Sequence, residues 1–212
     1  MNRQRNKPTS RWISSVVLFV LLAFGLEASL AREEGPSGTL HVVRTESFDG
    51  WKLDSAAAYA SYQNHGAVIE GLLRPDADGR SVEPGLAESW EHDPEAATWT
   101  FTLREDARFS NGERVTAADV VFSLGVWKAG ANFGASYGNI LGATAVDDRT
   151  VAFKLGSPYD NTFLPLMSAS ISGVMPKDFA GMSEDEYYNN PIGAGAYKVD
   201  SWTIGARTVL TA

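Results

Sequence analysis

Residues Ala97–Ser123, ATWTFTLREDARFSNGERVTAADVVFS, restrict the fold of this 212-residue chain more than any other stretch. From Thr98 to Leu103 the pattern alternates: Trp99, Phe101 and Leu103 fall on one side, Thr98, Thr100 and Thr102 on the other. Successive side chains of a strand point to opposite faces, so this period specifies a strand with one core face and one solvated face. Asn111-Gly112 then turns the chain within Phe109–Arg114. Thr116 is a good helix N-cap, and Asp119 three residues on makes a short capping box. Val120, Val121, Leu124 and Trp127 recur at helical spacing and form the buried stripe of the helix that follows. A half-buried strand, a tight turn and an amphipathic helix in succession read as part of a hairpin-plus-helix domain.

The flanking segments extend this plan. Leu86–Glu91 reads as the hairpin partner of Thr98–Leu103, turned at Asp93-Pro94-Glu95. Ala143–Val146 and Thr150–Leu155 form a second hairpin, turned by Asp147-Asp148-Arg149. Towards the N-terminus, Thr39–Arg44 predicts a short strand, Thr45–Ser55 a loop and Ala56–Leu73 a helix. The helix presents Ile69, Leu72 and Leu73, extended by Ala58, Tyr62 and Tyr59; Gly66 and Gly71 each weaken it by about 1 kcal/mol relative to Ala. Arg74–Glu83 predicts a turn-rich connection, Ala129–Tyr137 a loop and Thr162–Met167 a short helix. Asn190–Gly195 reads as a turn and Ala196–Trp202 as a strand. Hairpins interspersed with separate helices indicate an α+β fold.

Residues 1–31 read as a secretory signal. Arg3, Arg5, Lys7 and Arg11 precede an apolar run from Trp12 to Leu26, and Ser29-Leu30-Ala31 offers small residues for cleavage. The run is shorter than the roughly 20 apolar residues that span a bilayer, which disfavours an uncleaved anchor. No Cys follows it, which excludes a lipid-modified N-terminus, and the lack of adjacent arginines points to the general secretory route. Removing four basic residues and Glu27 from totals of 18 and 26 leaves a net charge of −11. An acidic chain without a basic run is a poor partner for nucleic acid or anionic membrane. With no Cys, the fold holds by its core alone, and 44% hydrophobic content supplies one domain, or one and part of another.

Little in the chain carries reactive chemistry. His41, His65 and His92 have no metal-like spacing. No Ser occupies a G-x-S-x-G elbow, and Gly193-Ala194-Gly195 is too short for a phosphate loop. Glu88/Glu91, Glu105/Asp106 and Asp147/Asp148 are possible glycosidase couples, but each sits near a turn or strand end, where solvated acids are ordinary. No catalytic residue, metal ligand or cofactor is therefore expected. Trp90, Trp99, Phe101, Phe109, Phe122 and Trp127 fall where core residues belong. Tyr59, Tyr62 and Tyr137 lie in or beside small-residue segments, where a ring and a hydroxyl can serve a ligand.

Several segments together resemble a known family. Leu53-Asp54 is similar to its Leu-Asp-Pro, with Ser55 in place of Pro; Glu70-Gly71-Leu72 and Pro84-Gly85-Leu86-Ala87-Glu88-Ser89-Trp90 resemble its next two motifs. Phe101–Arg104, Phe109, Gly112 and Thr116–Val120 resemble its central signature. Asp148–Leu155 resembles its second hairpin, and Asn190–Lys198 its Asn-Pro-Val-Gly-Thr-Gly-Pro-Tyr-Lys, with Ala194 for Thr and Ala196 for Pro. The family is the extracellular solute-binding proteins, family 5, which feed peptide, nickel and related ABC importers.

The resemblance implies a periplasmic binding protein type II-like fold, whose two lobes close on a ligand by hinge motion. It divides the chain into the signal (1–31), a first-lobe segment (32–56), a small extra domain (57–165) and a further first-lobe segment (166–212). The second lobe is expected beyond Ala212, so the chain is expected to be truncated. The segment after Leu-Asp and an aromatic after the signature helix are implied to approach the cleft, which selects Tyr59, Ser61 and Tyr137 as ligand-binding residues. The implied role is a monomeric periplasmic binding component that delivers peptides to permease subunits, with nickel complexes, sugars and opines as other ligand classes. The competing readings are a secreted hydrolase using paired carboxylates and a non-functional remnant.

Overall fold

A computed structural model describes residues 38–43, 45, 48–52 and 59–212, with only the backbone of 59 and 60. The signal segment and the Leu53-Asp54 motif lie outside the described residues. The chain divides into two units, Met1–Val43 and Arg44–Ala212. In the first, Gly38–Val43 is irregular and exposed, with Leu40, Val42 and Val43 open to solvent. The strand expected from Thr39 is therefore absent over the described residues. A strand exists by virtue of a ladder partner, and none of the described residues pairs with this stretch.

In the second unit the two expected hairpins merge into one sheet. Strands β3 (Ala87–Asp93), β4 (Thr98–Leu103), β5 (Ile140–Ala145) and β6 (Thr150–Leu155) are antiparallel in the order β3-β4-β6-β5. The register sets Trp90 opposite Phe101 and Phe101 opposite Val151, so one face collects the large apolar side chains. Thr98, Thr100 and Thr102 share the other face and are half-exposed, as the alternation requires. Helix α2 (Ala117–Ala129) lies against β5 and β6, and Phe163 at the start of α3 (Phe163–Ser168) plugs the apolar face. The Phe163 ring centroid is 6.1 Å from that of Phe101 and 5.6 Å from that of Phe153. Burying a ring of this size contributes about 2–3 kcal/mol.

Helix α2 also organises the chain that follows the sheet. Asp119 is 93% buried, since its relative exposure is 7%, and its charge is met by three donors. Oδ2 accepts from Thr116 N and Thr116 Oγ1, both at 2.7 Å, closing the expected capping box; Oδ1 accepts from Lys177 N at 2.7 Å. One and two turns further along, Ser123 Oγ accepts from Met175 N at 2.8 Å and Trp127 Nε1 donates to Gly173 O at 3.0 Å. Residues four apart stack on one helix face, so this polar stripe fastens Gly173–Lys177 along α2. Val121, expected in the buried stripe, is only half-buried; Ser123 takes the fully buried place.

The segment Ala67–Leu72 departs most from expectation. Helix α1 (Tyr59–Val68) stops short of Leu73, which instead begins β1 (Leu73–Pro75), paired with β2 (Val82–Pro84). The carbonyls of this stretch are claimed from elsewhere. Val68 O accepts from Gly195 N at 2.8 Å, Ala67 O from Tyr197 N at 3.1 Å and Glu70 O from Val174 N at 2.9 Å. Gly71 O accepts from Leu86 N at 3.0 Å, and Leu72 O from Ala87 N at 2.9 Å. The last carbonyls of a helix lack intrahelical partners, and here distant N–H groups supply them. Gly193 and Gly195 press against the same backbone. A Cβ at Gly195 would stand 2.5 Å from Ala67 O, and one at Gly193 would overlap Val68 O.

Two further elements lie outside the pattern expected from the sequence. Helix α4 (Glu184–Asn189) starts at Ser183, whose hydroxyl accepts from Glu186 N while Glu186 Oε2 accepts from Ser183 N at 2.9 Å. Strand β8 (Arg207–Thr211) pairs with β7 (Lys198–Thr203). Val199, Trp202 and Leu210 of this hairpin pack on a small core of Phe48, Trp51, Val68 and Ile69. A larger core joins the sheet, α2, α3 and the chain through Ala194.

Gly193→Ala is expected to lower stability by about 2–3 kcal/mol through overpacking. Gly125→Ala, in α2 with no atom within 4 Å of the added Cβ, is expected to raise it by up to about 1 kcal/mol. Urea unfolding of both variants against the parent checks the pair. Asp119→Ala, which leaves the donors of Thr116 and Lys177 without their acceptor, is expected to cost about 2–4 kcal/mol in the same assay.

Candidate ligand-binding site

Helix α1 turns one face inward and one outward. Ser61, His65 and Val68 recur at intervals of four and three, and all are buried, whereas Tyr62 on the adjoining face is half-buried. The loop Phe48–Lys52 covers the inner face. Its Phe48 and Trp51 rings meet edge to face at 4.9 Å, and Trp51 lies 5.5 Å from the His65 ring. Ser61 Oγ donates a short hydrogen bond to Asp49 Oδ1 and accepts from Asp49 N at 3.3 Å. His65 Nε2 lies 3.2 Å from Gly50 O, a carbonyl that can only accept, so the proton resides on Nε2. Burial of the imidazole lowers the His65 pKa to about 4; the Gly50 carbonyl and then the Asp49 carboxylate pull the other way.

Ser61, His65 and Asp49 are neighbours, but their hydrogen bonds do not form a nucleophilic relay. The serine hydroxyl points its proton at the carboxylate, and the imidazole N–H is spent on a backbone carbonyl. A triad needs the imidazole between the other two groups. The carboxyl groups most displaced by their surroundings are likewise unlike general acids. Asp76, Asp147, Asp160 and Glu186 are held below the usual range, chiefly by the Ser81 hydroxyl, the Arg149 N–H, the Thr162 hydroxyl and the Ser183 N–H respectively. No group of three His, Asp or Glu residues suited to a metal ion occurs among the described residues.

The segments that hold Tyr59, Ser61 and Tyr137 touch one another through Tyr62 and Phe133. Tyr137 closes a 3-10 turn, Gly134–Tyr137, and is 1% exposed. Its ring stacks on Trp127 at 5.6 Å, and its hydroxyl donates to Ile171 O at 2.9 Å, with Ser172 Oγ at 3.0 Å. Burial pushes its pKa up to about 12. Ser61 is fully buried, and the Tyr59 side chain lies outside the described residues. Contact between the two segments runs from Tyr62 on α1 to Phe133, whose rings meet edge to face at 6.0 Å. Both are half-buried, and Ser170–Ser172, the turn that receives the Tyr137 hydroxyl, also lies against α1. The result is an apolar, aromatic wall with the Ser61 and Tyr137 hydroxyls hydrogen-bonded behind it. Its exposed ring surface can pack against a ligand. Phe133 shares its Gly/Ala/Asn-rich segment with Tyr137; only the chain's direction after α2 decides which ring turns inward.

This architecture is found in known proteins. The family model of bacterial extracellular solute-binding proteins, family 5 (middle part), matches residues 81–212. The periplasmic oligopeptide-binding protein OppA of Haemophilus influenzae is 39% identical over 50% of this chain and 21% of its own length. OppA of Salmonella typhimurium is 33% identical over 68% of the chain and 30% of its own length. Among solved structures, the binding protein MoaA of A. tumefaciens R10, in complex with mannopinic acid, superposes with a TM-score of 0.71 at 30% identity, covering 79% of this chain and 35% of that one. The chain thus spans about a third or less of the length of these relatives.

Tyr137→Phe separates support from contact. It keeps the stacked ring and removes the hydrogen bond to Ile171 O, so stability is expected to fall by about 1–2 kcal/mol. Thermal unfolding checks this; an unchanged midpoint would free the hydroxyl for a role at the surface.

Proposed function

This chain belongs to the bacterial extracellular solute-binding proteins, family 5, and we propose that it is part of the substrate-binding component of an ABC importer that captures peptides in the periplasm and hands them to permease subunits. The observation that carries this reading is the convergence of α1 with the segment after α2 into one aromatic wall, in a fold whose relatives are oligopeptide-binding proteins. Such a wall suits a ligand recognised by packing and enclosure, which is how solute receptors hold cargo without altering it. In this reading Tyr62 and Phe133 face the ligand, and Tyr59, whose side chain lies outside the described residues, is kept as a ligand-binding residue. Ser61 and Tyr137 act from behind, Ser61 by fixing Asp49 and Tyr137 by fixing the Ser170–Ser172 turn. We keep the division into 32–56, 57–165 and 166–212 as part of the same proposal, along with export by the N-terminal signal and a monomeric, non-enzymatic role.

Affinity for a small ligand comes from burying most of its surface, which one wall does not do. We therefore expect weak, saturable binding of short peptides by this chain, with a Kd in the millimolar range, about −4 kcal/mol. The measurement is a two-dimensional NMR titration with a mixture of tri- to pentapeptides. Shifts centred on Tyr62 and Phe133 support the reading. Shifts confined elsewhere, or hydrolysis of the peptides during the titration, overturn it; the same titration with an opine tests the other ligand class represented among the relatives.

A further inference from the structure

His65 is fully buried, yet only half of its imidazole is accommodated. Nε2 is held by Gly50 O, whereas Nδ1 is buried with no hydrogen-bond partner. A neutral ring tolerates this at modest cost, because Nδ1 then carries a lone pair. A protonated ring does not, because it brings a second N–H and a full charge into a buried site where Nδ1 has no hydrogen-bond partner and where Asp49 and the Trp51 backbone favour the charge less than burial opposes it. The rings packed beside it, Trp51 and Phe48, offer none. The β7–β8 hairpin reaches this core through Trp202, against Phe48, and its charged residues Lys198, Asp200 and Arg207 are exposed. Among the described residues, Asp49 is the one charged group that acts on the ring, and burial outweighs it. Lys52 is turned outward, 2.7 Å from Glu184 and over the Tyr188 ring. On α1 itself, Ser61 gives its proton to Asp49, and Tyr62 lies on the adjoining face.

We propose that His65 is an acid-sensitive latch: neutral, it fastens the loop Phe48–Lys52 onto α1, and protonated, it releases the loop. The fastening is local. It consists of the Gly50 carbonyl, the Asp49–Ser61 pair, the Phe48 and Trp51 rings, and ties to the β7–β8 hairpin and α4 through Phe48 O, the Trp202 ring and the Lys52–Glu184 pair; none of these is a contact to the four-stranded sheet, so the loop can lift while that sheet stays folded. The loop leads into residues 53–60 and hence into Tyr59, so release would disturb the N-terminal side of the proposed ligand wall. The latch itself needs no ligand, and its test contains none.

The direction with pH follows from linkage. The closed loop binds the proton more weakly than the open loop, in which His65 regains its ordinary value of 6.5. Above that value both forms are neutral and pH has no effect. Between pH 6.5 and about 4 each unit of acidification multiplies the open-to-closed ratio about tenfold, and below that the ratio levels off, about 300-fold above its neutral value.

Hydrogen exchange followed by mass spectrometry on the whole chain, corrected for intrinsic rates, reads this ratio in a peptide covering Phe48–Lys52. The parent is expected to lose protection as the pH falls from 6.5 to 4, while the β4 and β6 amides hold theirs. His65→Gln keeps a neutral donor for Gly50 O and is expected to show no such slope in the loop. A flat parent profile, or the same slope in His65→Gln, overturns the latch. Should His65→Gln not fold, NMR titration of the parent's imidazoles decides. A His65 midpoint near 4 with loop resonances shifting in step supports the proposal, and a midpoint near 6.5, or one without loop shifts, overturns it.

Discussion

The backbone of Ala67–Leu72 is the point on which this structure depends. Five of its carbonyls accept hydrogen bonds from segments remote in sequence: Leu86 and Ala87 at the start of the sheet, Val174 after it, and Gly195 and Tyr197 beyond the last helix. Each bond adds a modest net stability of about 1 kcal/mol, but each buried carbonyl left unpaired costs more than that. The segment therefore dictates where the helix before it ends and where three later stretches lie. Glu70 adds an ion pair to Arg104 at 3.0 Å, tying the same segment to the end of β4. Glycines at 193 and 195 are required because two backbones approach too closely for a side chain.

The second organising device is the polar stripe of α2. Asp119, Ser123 and Trp127 each use a buried polar atom to hold the backbone of Gly173–Lys177. Buried polar atoms are costly unless satisfied, so the stripe admits one alignment of that strand-like segment and penalises any slip. That alignment positions Ser170–Ser172 to receive the Tyr137 hydroxyl and to rest against α1. The candidate wall of Tyr62 and Phe133 is thus a consequence of two rigid frames, the Ala67–Leu72 hub and the α2 stripe, rather than of the wall residues themselves.

Legibility in the sequence tracks how local the determining interactions are. The β3–β4 and β5–β6 hairpins, the Thr116–Asp119 capping box and the Gly112 turn rest on contacts within a few residues, and all were readable. Ser183 and Glu186 carry the same local capping signature at the start of α4. The helix expected to run to Leu73 ended at Val68 because distant N–H groups compete for its carbonyls, which no local periodicity encodes. The stretch from Thr39 alternates like a strand but has no ladder partner among the described residues, and alternation without pairing leaves irregular chain. At the proposed wall, the resemblance pointed to the segments around Tyr59 and Tyr137. Which ring faces outward depended on packing: Tyr137 satisfies its hydroxyl inside, leaving Phe133 to meet Tyr62.

By itself, the amino-acid sequence determined the family, the α+β class and the sheet's inner and outer faces, because motif order and period-two patterning are properties of the chain alone. The tertiary structure decided the rest. It placed His65 in an interior with room for one proton on its ring, set Asp49 beside Ser61 without making a relay, and gathered three remote segments onto one stretch of backbone. Burial and long-range hydrogen bonding arise only when segments far apart in sequence are brought together, and they govern both the pKa of a buried imidazole and the end point of a helix.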